Sequence, residues 1–143
     1  MDVDVSSYAD NLKLFDLAYQ TCGRVDHAVA AAGIGDRGSI TDPALTMDTI
    51  REAPTAQLKT MDVCLLGPIY FSRIASVYLR QPSRDQAQSP SSPDKSLTLI
   101  SSVAGLTETP GLPIYSAAKH GVIGLMRSLR PCVFLLHHDF TAD

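Results

Sequence analysis

One stretch, residues 96–128, constrains the fold of this chain more than any other. It opens with Leu97, Leu99 and Ile100, whose short apolar run predicts a buried strand. A loop rich in serine, glycine and proline follows. From Tyr115 onward, apolar residues recur every three or four positions, which predicts a helix. A strand that leads through a loop into a helix is typical of an α/β fold.

Tyr115 and Lys119 are four residues apart and therefore share one face of the predicted helix. A free phenol has a pKa of about 10, and a neighbouring ammonium favours its charged form. Ser102 follows the predicted strand, and strand ends meet helix starts at one edge of such a sheet. These side chains can donate a proton, tune the donor and hold an oxygen atom. The spacing alone also fits a half-exposed tyrosine and a solvated lysine without a catalytic role.

Two motifs in this stretch carry a family resemblance. Residues 100–105 read ISSVAG and residues 115–119 read YSAAK, with Ser102 thirteen positions before Tyr115. The combination resembles the short-chain dehydrogenase/reductase family, in which I-S-S-x-x-G ends a strand and Y-S-x-x-K opens a helix. The resemblance implies an NAD- or NADP-dependent oxidoreductase that interconverts a secondary alcohol and a ketone. In that mechanism Tyr115 gives its proton to the carbonyl oxygen, Ser102 holds that oxygen, and Lys119 acts on Tyr115 and bonds the nicotinamide ribose.

The resemblance also implies a nucleotide site, although the chain departs from the family pattern there. The family has N-N-A-G at the end of the preceding strand, whereas residues 30–33 read AAAG. Asp4 and Val5 correspond to the family's Asp-Val pair near the adenine. The implied cofactor-binding set is Asp4, Val5, Ala31, Ala32, Gly33, Tyr115 and Lys119.

A further departure concerns the family's fourth catalytic residue, an Asn that ends an M-D-V-N-like run and supports a proton-relaying water. The corresponding run, residues 61–64, reads MDVC, so Cys64 stands in place of the Asn. Asn11 is the chain's only asparagine and lies in a different predicted helix. Because a thiol is a poor replacement for an amide, a second interpretation stays open. It is a catalytically inactive remnant that acts, if at all, through helix-mediated dimerisation.

Composition limits the partners and the compartment. The 143 residues suit a single domain, with 45% apolar residues, 19% charged residues and a formal net charge of −3. There is no basic cluster for nucleic acid and no apolar run near the roughly 18 residues of a membrane span, so we expect neither partner. The three cysteines are odd in number and far apart. We therefore expect reduced thiols, a cytoplasmic location and no metal site.

The remaining segments predict alternating helices, strands and loops. In chain order we first expect a helix from Tyr8 that Gly23 ends, a buried parallel strand at 25–32 and an irregular loop at 34–55. A helix at 55–79, kinked at Gly67 and Pro68, and a flexible loop at 81–95 follow. The last helix is expected to end at Pro131, before a divergent tail at 131–143. Along one side of the long helix recur Leu58, Met61, Leu65, Ile69, Ser72, Ser76 and Leu79.

A third interpretation rests on residues 33–38, GIGDRG, which match the G-x-G-x-x-G dinucleotide fingerprint after a strand. Such a loop should open a helix, but Pro43 and Pro54 interrupt the residues that follow. A second strand with a terminal acid is also missing at the expected distance. A small complete nucleotide-binding module built on this loop is therefore the weaker alternative.

We expect an α/β fold, a partial Rossmann-like doubly wound parallel sheet in an incomplete three-layer α/β/α arrangement. The family's T-G-x-x-x-G-x-G turn and C-terminal strand have no counterpart, so we expect a truncated member that is marginally stable alone. The resemblance further implies a homo-oligomer that pairs through residues 55–79 and 114–129. Its substrate is a small alcohol or ketone, and family members that tailor polyketides and terpenoids suggest secondary metabolism.

Overall fold

The computed structural model describes residues 2–82 and 94–137, with side chains described as far as Arg130. Their helices and strands are, in order, α1 (Tyr8–Cys22), β1 (His27–Ala30), α2 (Thr55–Met61), α3 (Gly67–Tyr78), β2 (Ser96–Leu99) and α4 (Pro113–His137). A π-helical segment, Asp62–Leu66, joins α2 to α3 without a loop. Short 3-10 turns lie at Thr49–Arg51 and Val103–Gly105.

Helix α1 has the limits that its flanking residues predict. The Ser7 side chain accepts a hydrogen bond from the Asp10 amide and so caps the first turn. Gly23 has a φ of 71°, in the left-handed region, and its amide donates to the Tyr19 carbonyl oxygen. Asn11, also on this helix, is fully buried and donates to the carbonyl oxygens of Val5 and Ser7.

The two described strands pair in parallel, with His27 opposite Ser96 and Ala30 opposite Leu99. β1 is shorter than the predicted strand at 25–32. The predicted parallel pairing is observed, but the predicted burial holds for one face only, since Ala28 is 4% exposed and Val29 is 55% exposed. One face therefore carries the core, and the other is open among the described residues.

The core joins α1 and α3 to the Ala28 face of the sheet. Its buried members are Phe15, Val25, Ala28, Phe71, Ile74 and Ala75. The ring centroids of Phe15 and Phe71 are 4.9 Å apart. Apolar burial of this kind stabilises the layer by roughly 25 cal/mol per Å² removed from water. The helical layer is thus fixed on the sheet by aromatic side chains from two helices.

The long helix at 55–79 is continuous, and its irregularity lies one turn earlier than predicted. The π-helical hydrogen bond from the Gly67 amide reaches the Asp62 carbonyl oxygen, five residues back. Pro68, which has no amide proton, then sits in the first turn of α3, where that loss costs little. Gly67 is buried against Val5, and a Cβ at this position would lie only 3.0 Å from the Val5 carbonyl oxygen.

The buried side of this helix differs from the side that the large apolar residues mark. Leu58 and Ile69 are 43% and 40% exposed. Phe71, Ile74 and Ala75, on another side, are buried in the core instead. The side that packs on the sheet therefore carries both large and small residues, and it differs from the predicted one.

Helix α4 continues through Pro131 to His137, which corrects the prediction that Pro131 ends it. A proline removes one hydrogen bond of a helix, and an apolar run, residues 132–136, follows it at once. The predicted tail at 131–143 is therefore helical at its start. Most of the predicted loop at 81–95, residues 83–93, lies outside the described residues. Across the described ranges, none of the helices is both long and apolar enough to cross a membrane.

Candidate functional site

Tyr115 and Lys119 lie on the first turns of α4, next to the carboxyl end of β2. Lys119 is only 4% exposed, and its Nζ donates to the Ile100 carbonyl oxygen over 2.9 Å. The same Nζ lies 5.5 Å from the centroid of the Tyr115 ring. An ammonium has three donors, and one of them is used by Ile100. The helix thus carries a buried cation beside a half-buried phenol.

Ser102 lies in the loop between β2 and α4, in extended backbone conformation. Its Oγ accepts a hydrogen bond from the Ala104 amide over 3.2 Å and caps the 3-10 turn Val103–Gly105. Within the described ranges no hydrogen bond joins the Ser102 and Tyr115 hydroxyl groups. The structure therefore brings Tyr115 and Lys119 together. The local bond of Ser102 uses a lone pair of Oγ, so its hydroxyl proton can still be donated to a ligand oxygen.

The loop that carries Ser102 is fixed to α4 by side chains on both sides of it. Ser101 Oγ donates to the Lys119 carbonyl oxygen over 2.8 Å, and Ser116 Oγ donates to the Ala104 carbonyl oxygen over 2.9 Å. A Cβ on Gly105 would lie 2.6 Å from Ser101 Oγ and 2.7 Å from the Lys119 carbonyl oxygen. The glycine in the ISSVAG motif is thus required by close packing against α4.

Asp36, from the loop after β1, reaches the start of α4. Its carboxylate accepts hydrogen bonds from the amides of Ile114, over 3.0 Å, and Tyr115, over 2.7 Å. Carboxylates stabilise helix N-termini because the first amides have no partner within the helix. The loop after β1 is therefore connected directly to the residue that carries the phenol.

Cys64 lies in the π-helical segment and is fully buried. Its Sγ accepts a hydrogen bond from the Ile34 amide over 3.3 Å and donates to the Ile34 carbonyl oxygen over 3.2 Å. Thr60, one turn earlier, donates from Oγ1 to the Gly35 carbonyl oxygen over 3.0 Å. The thiol at the position of the family's Asn thus contributes two hydrogen bonds to the loop after β1.

The residues that follow β1 are open to solvent. Ala31, Ala32 and Gly33 are exposed. A Cβ built on Gly33 would lie 3.6 Å from Cys64 Sγ and 3.7 Å from Lys119 Nζ. Gly33 therefore lies directly beside both the thiol and the ammonium, and an alanine side chain there would contact both.

Asp4 and Val5 lie away from the tyrosine–lysine pair, at the start of the described chain. Hydrogen bonds from the Ser6 hydroxyl and amide, together with Lys59, lower the pKa of Asp4 below its ordinary value. Lys59 Nζ lies 3.8 Å from Asp4 and donates to Ser6 Oγ over 2.8 Å. Asp4 is thus engaged with its own loop, while Val5 is held against α3 through Asn11 and Gly67.

Two cavities lie near these elements, and neither is lined by Ser102, Tyr115 or Lys119. One of about 140 Å³ includes Val5, Ala31 and Ala32 in its lining, which unites part of the expected cofactor set. It is smaller than the roughly 300–1,000 Å³ typical of ligand sites. The other, about 610 Å³, is a groove between α1 and α3. In the described segments, no group of three or more His, Cys, Asp or Glu side chains is arranged to hold a metal ion.

Sequence reasoning missed several residues that support the tyrosine–lysine pair, chiefly Asp36, Thr60 and Ser101. A signal for Asp36 was present, because α4 begins with Pro113 after an apolar Leu112, which has no capping side chain. A helix start without a local cap needs an acceptor from elsewhere. No comparable signal marks Thr60, whose partner is a backbone oxygen 25 residues away.

Comparison with known proteins gives a consistent result. The family model described as short chain dehydrogenase matches residues 1–132. Short-chain dehydrogenase/reductase ascJ of Acremonium egyptiacum is 37% identical over 141 residues, which is 99% of this chain and 42% of that protein. The 5'-hydroxyaverantin dehydrogenase of Dothistroma septosporum is 32% identical over 89% of this chain and 42% of its own length.

Among solved structures, carveol dehydrogenase from Mycobacterium avium in complex with NAD superimposes with a TM-score of 0.72 and 26% sequence identity. The superposition covers 95% of this chain and 43% of that one. It confirms the predicted partial Rossmann-like fold. The chain spans about two fifths of the length of these relatives.

Proposed function

Because this chain belongs to the short chain dehydrogenase family, whose model matches residues 1–132, we propose that it provides the proton-transfer residues of an NAD- or NADP-dependent oxidoreductase. The reaction interconverts a secondary alcohol and a ketone. The family predicted from the motifs at 100–105 and 115–119 is confirmed; the activity is the proposal.

The observation that supports this function is the buried Lys119 ammonium beside the Tyr115 ring. In ketone reduction, the Tyr115 hydroxyl donates its proton to the carbonyl oxygen, and in alcohol oxidation the phenolate takes the proton back. The Lys119 ammonium lies 5.5 Å from the centroid of that ring, where a positive charge can stabilise negative charge that develops during the proton transfer. Ser102 Oγ donates its hydrogen bond to the same substrate oxygen.

The exposed strand end at Ala31, Ala32 and Gly33 fits a nicotinamide nucleotide. Gly33 leaves a space bounded by Cys64 Sγ and Lys119 Nζ, which a larger residue would fill. Lys119 has two donors beyond the Ile100 bond, which suit ribose hydroxyl groups. The bound nicotinamide supplies or accepts the hydride. The small cavity beside Val5 covers only part of such a ligand.

The experiment is calorimetric titration of the 143-residue chain with NADPH and then NADH, followed by a screen of carbonyl substrates. Tyr115→Phe keeps the ring and removes the hydroxyl, so we expect nucleotide binding to persist and turnover to fall about 10²- to 10⁴-fold. Tyr8→Phe is the matched control, because Tyr8 packs its ring on Tyr70 at 5.3 Å, remote from Lys119. A folded chain that binds neither nucleotide, or a Tyr115→Phe variant with unchanged turnover, would contradict the proposal.

The substrate class and compartment belong to the same proposal. One relative is named for 5'-hydroxyaverantin, a hydroxylated small molecule. We extend this class to a secondary metabolite with a secondary alcohol or ketone, tested by including such compounds in the screen. A cytoplasmic location is supported by the free thiols of Cys22 and Cys64, which suit a reducing compartment.

A dimerising protein without catalysis is the second candidate function. It is favoured by apolar side chains that the long helix and α4 leave exposed, including Leu58, Ile69, Val77 and Met126. Cys64 in place of the family's Asn favours it as well. Sedimentation analysis of wild type and Ile69→Lys separates the two functions. A dimer that dissociates in the variant, without nucleotide binding in wild type, favours pairing alone.

A further inference from the structure

The first turn of α4 has an unusual need for an outside acceptor. Pro113 opens the helix and has no amide proton, and the Ser116 amide bonds to the Leu112 carbonyl oxygen over 2.9 Å. The Leu112 amide bonds to Thr109. Two amides remain without a helical partner, those of Ile114 and Tyr115.

The Asp36 carboxylate takes both of these amides, one on each oxygen. It comes from 78 and 79 residues earlier in the chain, so the contact fixes two distant segments to each other. A carboxylate at a helix N-terminus is favoured both by these hydrogen bonds and by the helix dipole. One of the two amides belongs to Tyr115 itself, the residue whose hydroxyl carries the proposed proton transfer.

The segment that presents Asp36 is itself fixed on its other side. Cys64 holds both backbone groups of Ile34, and Thr60 holds the Gly35 carbonyl oxygen. Cys64 and Thr60 are fully buried, so these contacts are shielded from water. Residues 34–36 therefore form a bridge from the long helix to the start of α4.

We propose that Asp36 is a positioning residue: through its two amide hydrogen bonds it fixes the Tyr115 backbone relative to Lys119 and the open space beside Gly33. The inference rests on the proposed function for its catalytic consequence. Lys119 has its own support, from Ile100 on its ammonium and from Ser101 on its carbonyl oxygen. Loss of Asp36 therefore loosens Tyr115 while Lys119 stays in place.

This role also gives residues 33–38, the GIGDRG motif, a function that does not require phosphate binding. The motif does not open a helix of its own; its aspartate caps another helix. A carboxylate already fills the N-terminus of α4, so an anionic ligand group would have to displace a like charge there. The acid and a phosphate are alternatives at this position.

The first test is amide hydrogen exchange, followed by NMR, on the cofactor-free chain. In Asp36→Ala we expect the Ile114 and Tyr115 amides to exchange at least about tenfold faster, because one capping interaction is lost. The Lys119 amide should change less than about threefold. Asp42→Ala is the matched control, since the Asp42 carboxylate bonds only the nearby Ala44 amide among the described contacts. Unchanged exchange at Tyr115 overturns the proposal.

The second test is kinetic. Asp36→Asn keeps the shape and one acceptor, so kcat should fall about three- to tenfold, and Asp36→Ala should lower it further, with KM and nucleotide affinity within about threefold. Formate, which can refill the space of the missing carboxylate, should restore part of the kcat of Asp36→Ala and none of that of Asp36→Asn. Equal chloride is the salt control.

The outcomes separate this proposal from the proposed function. Faster exchange together with lower kcat and formate rescue supports both. A wild-type chain without turnover overturns the function, and exchange at Tyr115 then decides the positioning role by itself. An active wild type whose kcat and exchange are insensitive to Asp36→Ala overturns the positioning role alone.

Discussion

Replacing Gly105 by alanine tests whether close packing of the β2–α4 loop determines the stability of this chain. The added Cβ would lie 2.6 Å from Ser101 Oγ, 2.7 Å from the Lys119 carbonyl oxygen and 2.9 Å from its carbon atom. Two of these three atoms belong to backbone, which cannot rotate away. Overpacking of this kind costs about 1–3 kcal/mol. The Ser101–Lys119 hydrogen bond, about 1 kcal/mol, is disrupted as well.

Alanine also lowers the conformational entropy of the unfolded chain, which stabilises the protein by about 0.4–1 kcal/mol. The free energy of unfolding should therefore fall by roughly 1–3 kcal/mol in total. Gly124→Ala is the matched control, because Gly124 lies in α4, the helix against which Gly105 packs, and a Cβ there would have no contact within 4 Å. That variant should gain up to about 1 kcal/mol from helix propensity. The two alanines should therefore shift stability in opposite directions.

The assay is urea unfolding followed by far-ultraviolet circular dichroism, with stability taken from the midpoint and slope. At a slope of about 1.5 kcal/mol per molar urea, the midpoint of Gly105→Ala should fall by roughly 0.7–2 M. A midpoint equal to or above that of the wild type, with an unchanged slope, would refute the packing argument. A loss in Gly124→Ala as large as that in Gly105→Ala would show that the method does not report local packing.

Three further predictions concern other parts of the molecule. A hydrogen bond to Asp16, together with desolvation, raises the pKa of Tyr78 to about 12; its stabilising effect is full below the ordinary value of about 10 and is lost as pH rises through 12. Carbon-13 NMR should find Tyr78 still neutral at pH 11, and Asp16→Asn should lower the pKa of Tyr78 towards its ordinary value. Gly33→Ala should weaken nucleotide binding and leave stability unchanged. Gly35→Ala should change neither quantity, because a Cβ there would have no contact within 4 Å. An equal loss of nucleotide affinity in both variants would instead favour a phosphate-binding loop. Cys64→Val leaves the Ile34 amide and carbonyl oxygen without the hydrogen bonds of the thiol. It should lower the free energy of unfolding in urea by about 1–3 kcal/mol, which is more than Cys64→Ser should lower it.

Local patterns predicted the elements well where one short-range rule decides. The caps at Ser7 and Gly23 act within a few residues, so both limits of α1 agree with the sequence. The prediction that Pro131 ends α4 was wrong because proline disfavours a helix interior without excluding it, and α4 continues to His137. The buried side of the long helix was not predictable from hydrophobicity alone. Large apolar residues lie on more than one side of this helix, and the packing decides that Phe71 and Ile74 are buried while Ile69 is exposed.

In the candidate site, too, short-range features were predictable from the sequence and long-range contacts were not. Tyr115 and Lys119 share a helix, so their proximity follows from a spacing of four residues. The contacts that support them span much longer separations, 78 residues for Asp36 and 30 for Cys64. Such contacts depend on the packing of α2, the π-helical segment and α4. A single sequence states which side chains can make these bonds, while the fold decides which ones do.

The GIGDRG motif shows why spacing alone misleads. Its glycines have three different environments: Gly33 faces Lys119 Nζ, Gly35 has free space, and Gly38 has a φ of 76°, in the left-handed region. Only Gly38 needs glycine for its backbone, and only Gly33 for access to the lysine. A phosphate cradle would require the glycines to act together on one ligand. Here each glycine has a different local environment. Alanine should therefore be tolerated at Gly35, should reduce ligand access at Gly33 and should strain the backbone at Gly38.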